Sequence, residues 1–385
     1  MANIFTTPAK ILSGINALST AGSEFANMGK KALVVSDGMM HKLGNIRKLE
    51  EVLISNNIQY SLFAEVNTEP TDVVVKAGVA QYCKENCDFL IAIGGGSPID
   101  TMKAIAVLVS VGGKLVDYMG KDISNRLPKI AAVPTTAGTG SEATQVTIII
   151  DTETQVKMML RGGALMPDLA VMDPQFTITA PPDVTAATGI DALCHAVEAY
   201  TSKRAQPLSD IFALSATKRI LDHLLKAYDE PENVEARTQM VLAATEAGIA
   251  FNNASVAIIH GMSRPIGALF HVPHGISNAM LMETCLDFVK HAAVEQFADL
   301  ARHCGLSTSY DSDEEAADKF LIKITLLLRN LNIPTLREYG IDPETFNAAI
   351  PKMASDAFAS GSPSNTHFDI TISHIEQLYA KLILK

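Results

Sequence analysis

The 385 residues contain no tryptophan and only five cysteines: Cys83, Cys87, Cys194, Cys285 and Cys304. An odd number of thiols with no Cys-x-x-Cys spacing argues against a disulfide framework or a thiolate metal site and fits reduced thiols. Cys83 and Cys87 stand one helical turn apart, a spacing that packing explains. Basic clusters are also lacking: 31 Lys and Arg face 42 Asp and Glu, for a net charge of -11. No face can then neutralise a phosphate backbone, which argues against nucleic-acid binding. No apolar run approaches a membrane span, and "MANIFTTPAKILSG" has neither the basic nor the apolar segment of a secretory leader. A cytoplasmic protein with no membrane partner is expected. The remaining composition, 48% hydrophobic, is that of a folded globular chain long enough for two domains.

Up to about residue 173, short β-rich runs alternate with helical patterns. "KALVVSD" (31–37), "YSLFAEV" (60–66), "DFLIAIGG" (88–95), "KIAAVPT" (129–135), "TQVTIIID" (144–151) and "LAVMDP" (169–174) read as strands. Helical patterns at 40–56, 72–86 and 98–110 lie between the first four. Such apolar runs, alternating with helices, predict βαβ units and an open, largely parallel sheet covered on both faces. "DPQFTITAPPDVTA" (173–186) interrupts the alternation and marks a domain boundary. Beyond it the pattern is helical, at 185–202, 207–228, 233–252, 275–304, 313–330, 343–357 and 372–384.

One strand runs into glycine: "IAIGGGSPIDTMKAIA" (91–106). Ser97 as N-cap, Pro98 at the first helical position and Asp100 three beyond the serine predict a helix starting at Pro98. Its N-terminus would attract an anion, and Gly94, Gly95 and Gly96 clear side chains from the approach. The bland alternative is a turn that packs a strand end on a helix. The usual dinucleotide fingerprint places its glycines after the first strand and its ribose-binding acid about 20 residues later. Here the glycines follow the third of these strands and the acid, Asp37, comes earlier. A second loop, "VPTTAGTGSEAT" (133–144), brings Thr135, Thr136, Thr139 and Ser141 to another strand end, where hydroxyls can bind phosphate, ribose or carboxamide.

In "ATGIDALCHAVEAYTS", Asp191 and His195 project from one face of an apolar helix. Alone they read more readily as a capping-type aspartate and a satisfied core histidine. "VAIIHGMSRPIGALFHVPHGISNAML" adds His260, His271 and His274 in fifteen positions. One carboxylate with three imidazoles is a donor set for Fe(II) or Zn(II), not an all-oxygen magnesium cage.

"GGGSPIDTMKAIA", "PTTAGTGSE", "TGIDALCHAVEAY" and "HGMSRPIGALFHVPHG" together resemble the iron-containing (group III) alcohol dehydrogenase family, over essentially the whole chain. The resemblance implies an α/β Rossmann-like nucleotide-binding domain over 1–180 and an all-α metal-binding and substrate domain over 181–385. That is a dehydroquinate synthase-like architecture, with the active site in the cleft between the domains and a homodimer as the common assembly. It implies NAD and Fe2+, with Zn2+ also suited, and hydride transfer between a small alcohol and the cofactor. Asp191, His195, His260 and His274 match the family's metal ligands. Gly95, Gly96 and Ser97 match its pyrophosphate site, and Thr135, Thr136 and Thr139 its threonine loop. Asp37 matches the ribose-binding acid, and Lys157 a ribose-contacting lysine.

A carboxylate at Asp37 facing a 2'-phosphate about 4 Å away would meet repulsion of about 4 kcal/mol, so NAD(H) is preferred over NADP(H). His271 is the nearest unassigned candidate for a general base, beside the alternative that it lines the pocket. Three departures from the family pattern stand out: Glu69 where some relatives have an asparagine, Arg264 where some have a histidine, and Thr366, His367 and Phe368 around a common Asn-Pro-Arg. A dehydroquinate-synthase-like lyase would need several cations near the histidines, where Arg264 alone stands. A non-catalytic binder would not need both sites, and a metal-free maleylacetate-reductase-like enzyme would not need four ligands. The small, apolar surroundings point to short primary alcohols or diols and their aldehydes.

Overall fold

The computed structural model describes residues 2–384. The alternating half forms β1 (Lys10–Ser13), α1 (Ala17–Met28), β2 (Lys31–Val35), α2 (Gly38–Lys42), α3 (Asn45–Ser55), β3 (Gln59–Phe63) and α4 (Asp72–Lys84). It continues through β4 (Phe89–Gly94), α5 (Gly96–Val111), β5 (Ile130–Pro134), β6 (Val146–Ile150), β7 (Lys157–Arg161) and β8 (Leu169–Met172). Six of these strands make one parallel sheet in the order β1-β8-β5-β4-β2-β3. Successive residues of a strand point to opposite faces, and both faces are covered. Leu33, Val35, Leu90 and Ala92 pack with Val75 and Ile105 on one side. Ala32, Val34, Ile91 and Ile93 pack with Phe25, Leu49 and Leu53 on the other.

The run 144–151 does not join this sheet. It pairs antiparallel with β7 in a separate hairpin. Its burial alternates along the strand, whereas β4 and β5 are buried throughout.

After Pro181 the chain is helical: α6 (Pro182–Tyr200), α7 (Pro207–Asp229), α8 (Val234–Ala254), α9 (Ile258–Phe270) and α10 (His274–Val289). Then come α11 (Val294–His303), α12 (Asp313–Asn330), α13 (Pro343–Ala359) and α14 (Ile372–Ile383). The expected helix 275–304 is thus two, separated by a 3-10 turn at Lys290–Ala292. Two compact units result. One is Thr6–Ala180, and the other runs from Pro181 onward and includes the N-terminal stretch ending at Phe5. Among the described residues, no single helix is long and apolar enough to cross a membrane.

Candidate functional site

In the first unit, β2, β4 and β5 end together on one edge of the sheet, with Val35 opposite Ala92 and Gly94 opposite Pro134. β3 lies on one side of β2 and β4 on the other, so the winding reverses between β2 and β4, where open α/β sheets bind ligands. Asp37 and the glycines meet there. A Cβ added to Gly94 would lie 3.3 Å from Asp37 Oδ2 and 2.6 Å from Pro98 Cγ, and its φ of 155° is one that side chains rarely tolerate. Asp37 also caps α2, its Oδ1 accepting from the backbone N–H of Met39 at 2.8 Å and Met40 at 2.9 Å.

The sequence placed the start of α5 two residues late. The helix begins at Gly96 with Gly95 as N-cap, so Ser97 and Pro98 lie in its first turn. No N–H of that turn has an intrahelical acceptor, so the proline costs nothing there and the anion-binding end reaches back to Gly96. Asp100 is not part of a cap; its Oδ2 accepts from Ile148 N at 3.0 Å.

The threonine loop leaves β5 against this turn: Thr135 N donates to Gly94 O at 2.9 Å, and a Cβ on Gly96 would come within 3.1 Å of Thr139 Cγ2. The hydroxyl oxygens of Thr135 and Thr136 are buried with no hydrogen-bond partner among the described residues. Buried hydroxyls are rarely left so, and beside a helix N-terminus cleared of side chains they fit a phosphate-bearing nucleotide. Lys157 begins β7, and its ammonium donates to Glu69 Oε1 at 2.6 Å. A bond from Ile150 N to Pro70 O at 2.8 Å draws the β6–β7 hairpin onto the loop that carries Glu69.

In the second unit, α6 carries Asp191 and His195 one turn apart, α9 carries His260, and His274 opens α10. The structure brings all four together. From Asp191 Oδ1, the Nε2 atoms of His260, His274 and His195 lie at 3.6, 3.7 and 4.0 Å. Four ligands at about 2.1 Å around one ion are spaced roughly 3.4 Å apart, close to these three separations; the donor atoms of Asp191, His195 and His260 all lie within 4.8 Å of one another, a group that can hold a divalent cation, and His274 approaches it through Asp191. Asp191, His195 and His260 are buried, whereas the His274 side chain is 44% exposed. The His195 ring stacks between Phe251 and His260, with centroids 4.2 and 4.4 Å away.

Two partners escaped the sequence reading. Glu198 Oε2 lies 2.5 Å from His260 Nδ1, and Oε1 accepts from Ile259 N at 2.6 Å. A proton kept on Nδ1 leaves the Nε2 lone pair for the centre. Its signal was in the sequence, since Asp191, His195 and Glu198 at i, i+4 and i+7 share one face. Asn278 gave a fainter one, a turn beyond His274. Its buried Nδ2 lies 2.7 Å from Asp191 Oδ1 and 3.2 Å from both His260 Nε2 and His274 Nε2.

The electrostatics agree with this donor set. Burial opposes charge on Asp191, but His195, His274 and His260 hold its carboxyl well below the usual carboxylate range. Burial also opposes charge on His260, yet Glu198 and Asp191 raise it to about 9. The pocket favours positive charge. His271 is not one of the converging groups: it is the exposed, left-handed C-cap of α9. Arg264 Nη1 donates to Ser362 Oγ at 3.3 Å, and Phe368 packs on Phe288 and His374.

Residues 8–174 match the family pattern described as iron-containing alcohol dehydrogenase, and residues 185–383 match the C-terminal pattern of the Fe-containing alcohol dehydrogenase family. The chain is 37% identical over 364 residues to choline dehydrogenase of Bacillus subtilis (strain 168), covering 93% of this chain and 90% of that protein. It is 34% identical over 381 residues to the NAD-dependent methanol dehydrogenase of Bacillus methanolicus, covering 98% and 99%. A crystal structure of 1,3-propanediol oxidoreductase superposes with a TM-score of 0.96 at 35% identity, covering 99% of this chain and all of that one.

Proposed function

The chain belongs to the iron-containing alcohol dehydrogenase family, and on that premise we propose that it interconverts short-chain primary alcohols or diols and their aldehydes, with NAD(H) as hydride carrier. The observation that carries this reading is the Asp191 carboxylate with three imidazole nitrogens 3.6–4.0 Å away. Asp191, His195, His260 and His274 would hold a divalent ion, iron(II) by family and zinc(II) by the same donor chemistry. When bound, the ion supplies Lewis acidity toward the substrate oxygen and the nicotinamide gives or takes the hydride.

The protein's own part is positional. Glu198 fixes the tautomer and angle of His260, and the stack of Phe251, His195 and His260 holds the second imidazole in place. In the unit that spans most of 1–180, Gly94, Gly95 and Gly96 admit the pyrophosphate to the first turn of α5, with Ser97 beside it. Thr135, Thr136 and Thr139 offer hydroxyls to the same nucleotide. Asp37 takes the adenosine ribose, with Lys157 at its side. Residues 181–385 bind metal and substrate. His271 is exposed three residues before His274, and a ring nitrogen there passes the proton of alcohol oxidation to water. Operation as a cytoplasmic homodimer belongs to the same reading, supported by the family resemblance.

One mutant pair tests the roles. His195→Ala should lose bound metal and activity together, because it removes a donor that no neighbour replaces. His271→Ala should keep the metal while turnover falls and its pH profile changes. Full activity in a metal-depleted His195→Ala protein would overturn the metal assignment, and a wild-type pH profile in His271→Ala would remove that residue from the mechanism.

A further inference from the structure

The motif "GGGSPIDTMKAIA" carries a residue that the proposed chemistry leaves unused. Lys103, in the second turn of α5, is fully buried. A buried ammonium carries three donors and no acceptor, so it is costly unless each proton meets an oxygen. Here Nζ lies 2.7 Å from Thr144 O, 2.8 Å from Ser141 O, 2.9 Å from Val146 O and 3.1 Å from Thr144 Oγ1. All four belong to the segment that carries on from the threonine loop. Asp100, one turn earlier on the same helix, extends the grip. Its Oδ2 accepts from Ile148 N at 3.0 Å, and its backbone carbonyl accepts from Thr147 Oγ1 at 2.8 Å.

We propose that Lys103 is a positioning residue that clamps the threonine loop to the glycine helix, making the two nucleotide-facing loops one preformed surface. The geometry says how. Carbonyls of residues 141–146 turn inward to one ammonium, which fixes the path of the loop as it leaves Thr139. Earlier in that loop, Thr139 lies against Gly96, and the Thr135 and Thr136 hydroxyls are buried without a hydrogen-bond partner among the described residues. Without the ammonium those carbonyls lose their common donor. The loop then has no reason to keep the register that presents its threonines beside Gly95 and Gly96.

This inference rests on the placement of the nucleotide at those loops, and it adds a residue that touches no ligand. Because Lys103 acts through the loop, its loss should appear in the affinity for NADH far more than in turnover at saturating NADH. Protonation offers a second readout. Burial pulls the Lys103 ammonium down to about 8, against the pull of Asp100 and Glu142, the charged groups that face it from α5 and from the turn Ser141–Ala143. Burial also pushes Asp100 up to about 6. The sign follows directly. Below about pH 8 the ammonium is present and the clamp is closed; above it the neutral amine has one donor fewer and the clamp loosens.

The test is calorimetric titration of NADH into metal-loaded wild-type protein and the Lys103→Met variant, with bound metal and kcat at saturating NADH measured on the same samples. The expected result is an NADH Kd raised on the order of ten-fold or more in the variant, with metal content unchanged and a much smaller change in kcat. In the wild type alone, Kd should be flat between about pH 6, where Asp100 titrates, and about pH 8, and rise above it, a readout that survives even if Lys103→Met does not fold. An unchanged Kd in folded Lys103→Met, or a wild-type Kd that stays flat through pH 8, would overturn the proposal. A wild-type protein that binds no NADH would instead overturn the nucleotide placement on which it stands.

Discussion

Two demands fall on the carboxylate of Asp37. One oxygen caps α2 through the N–H groups of Met39 and Met40, while the other points toward Gly94. The cap holds the charge at the sheet edge where we propose the adenosine ribose binds, so a 2'-phosphate there would meet it at close range. Asp37→Gly should shift the ratio of kcat/KM for NADP(H) over NAD(H) upward, by an amount bounded by the repulsion of about 4 kcal/mol at 4 Å. Glycine is the informative replacement, because as an N-cap it costs only a few tenths of a kcal/mol relative to aspartate. An unchanged ratio would detach Asp37 from cofactor choice. At this scale the sequence singled out Asp191, His195, His260 and His274 through the motifs that carry the family resemblance, and the structure places the three histidines around Asp191. It placed Glu198 on the face of Asp191 and His195 but did not show its partner, since the bond to His260 depends on α9 packing on α6. It also hid the bond between Lys157 and Glu69, because 144–151 was read as a strand of the alternating sheet and 157–161 as no strand, so the β6–β7 hairpin went unseen.

Among the elements, the β4–α5 turn carries a strong local constraint. Gly94 combines a φ of 155° with a neighbour, Pro98 Cγ, 2.6 Å from where a Cβ would stand. Gly94→Ala should therefore destabilise the protein by about 1–3 kcal/mol and raise KM for NADH, as the turn opens to relieve the clash. Denaturant unfolding and NADH kinetics on the purified variant check both; wild-type stability would show that the turn accommodates a side chain freely. The central strands β2, β4 and β5 were legible because full burial writes them as continuous apolar runs. Others were not. β1 is a four-residue edge strand with exposed ends. α1 buries a stripe of mostly small residues, Ala17, Leu18, Ala21, Gly22 and Phe25, which carries little hydrophobic contrast. The break after α10 leaves no proline or glycine between Lys290 and Val294 to announce it.

For the whole molecule, the division of labour follows the division of secondary structure. The parallel sheet of Thr6–Ala180 gathers three strand ends into one edge, and the helices from Pro181 onward gather four donors from α6, α9 and α10. The alternation of strands with helices, and its end near residue 180, made both architectures readable. The positions of α9 and α10 were not readable in the same way, because their histidines meet Asp191 only through helix packing that no local pattern encodes. The central claim is that this chain is a metal-dependent, NAD-linked alcohol dehydrogenase. Its most direct test is to measure bound iron and zinc in anaerobically purified protein and then follow NADH oxidation over a panel of short-chain aldehydes. The account predicts about one divalent ion per chain, held by a single four-donor site, and NADH oxidation with at least one aldehyde that stops when the ion is removed and returns when it is restored. Turnover that persists in fully metal-free protein, or metal-loaded protein that oxidises NADH with none of the aldehydes, would contradict it.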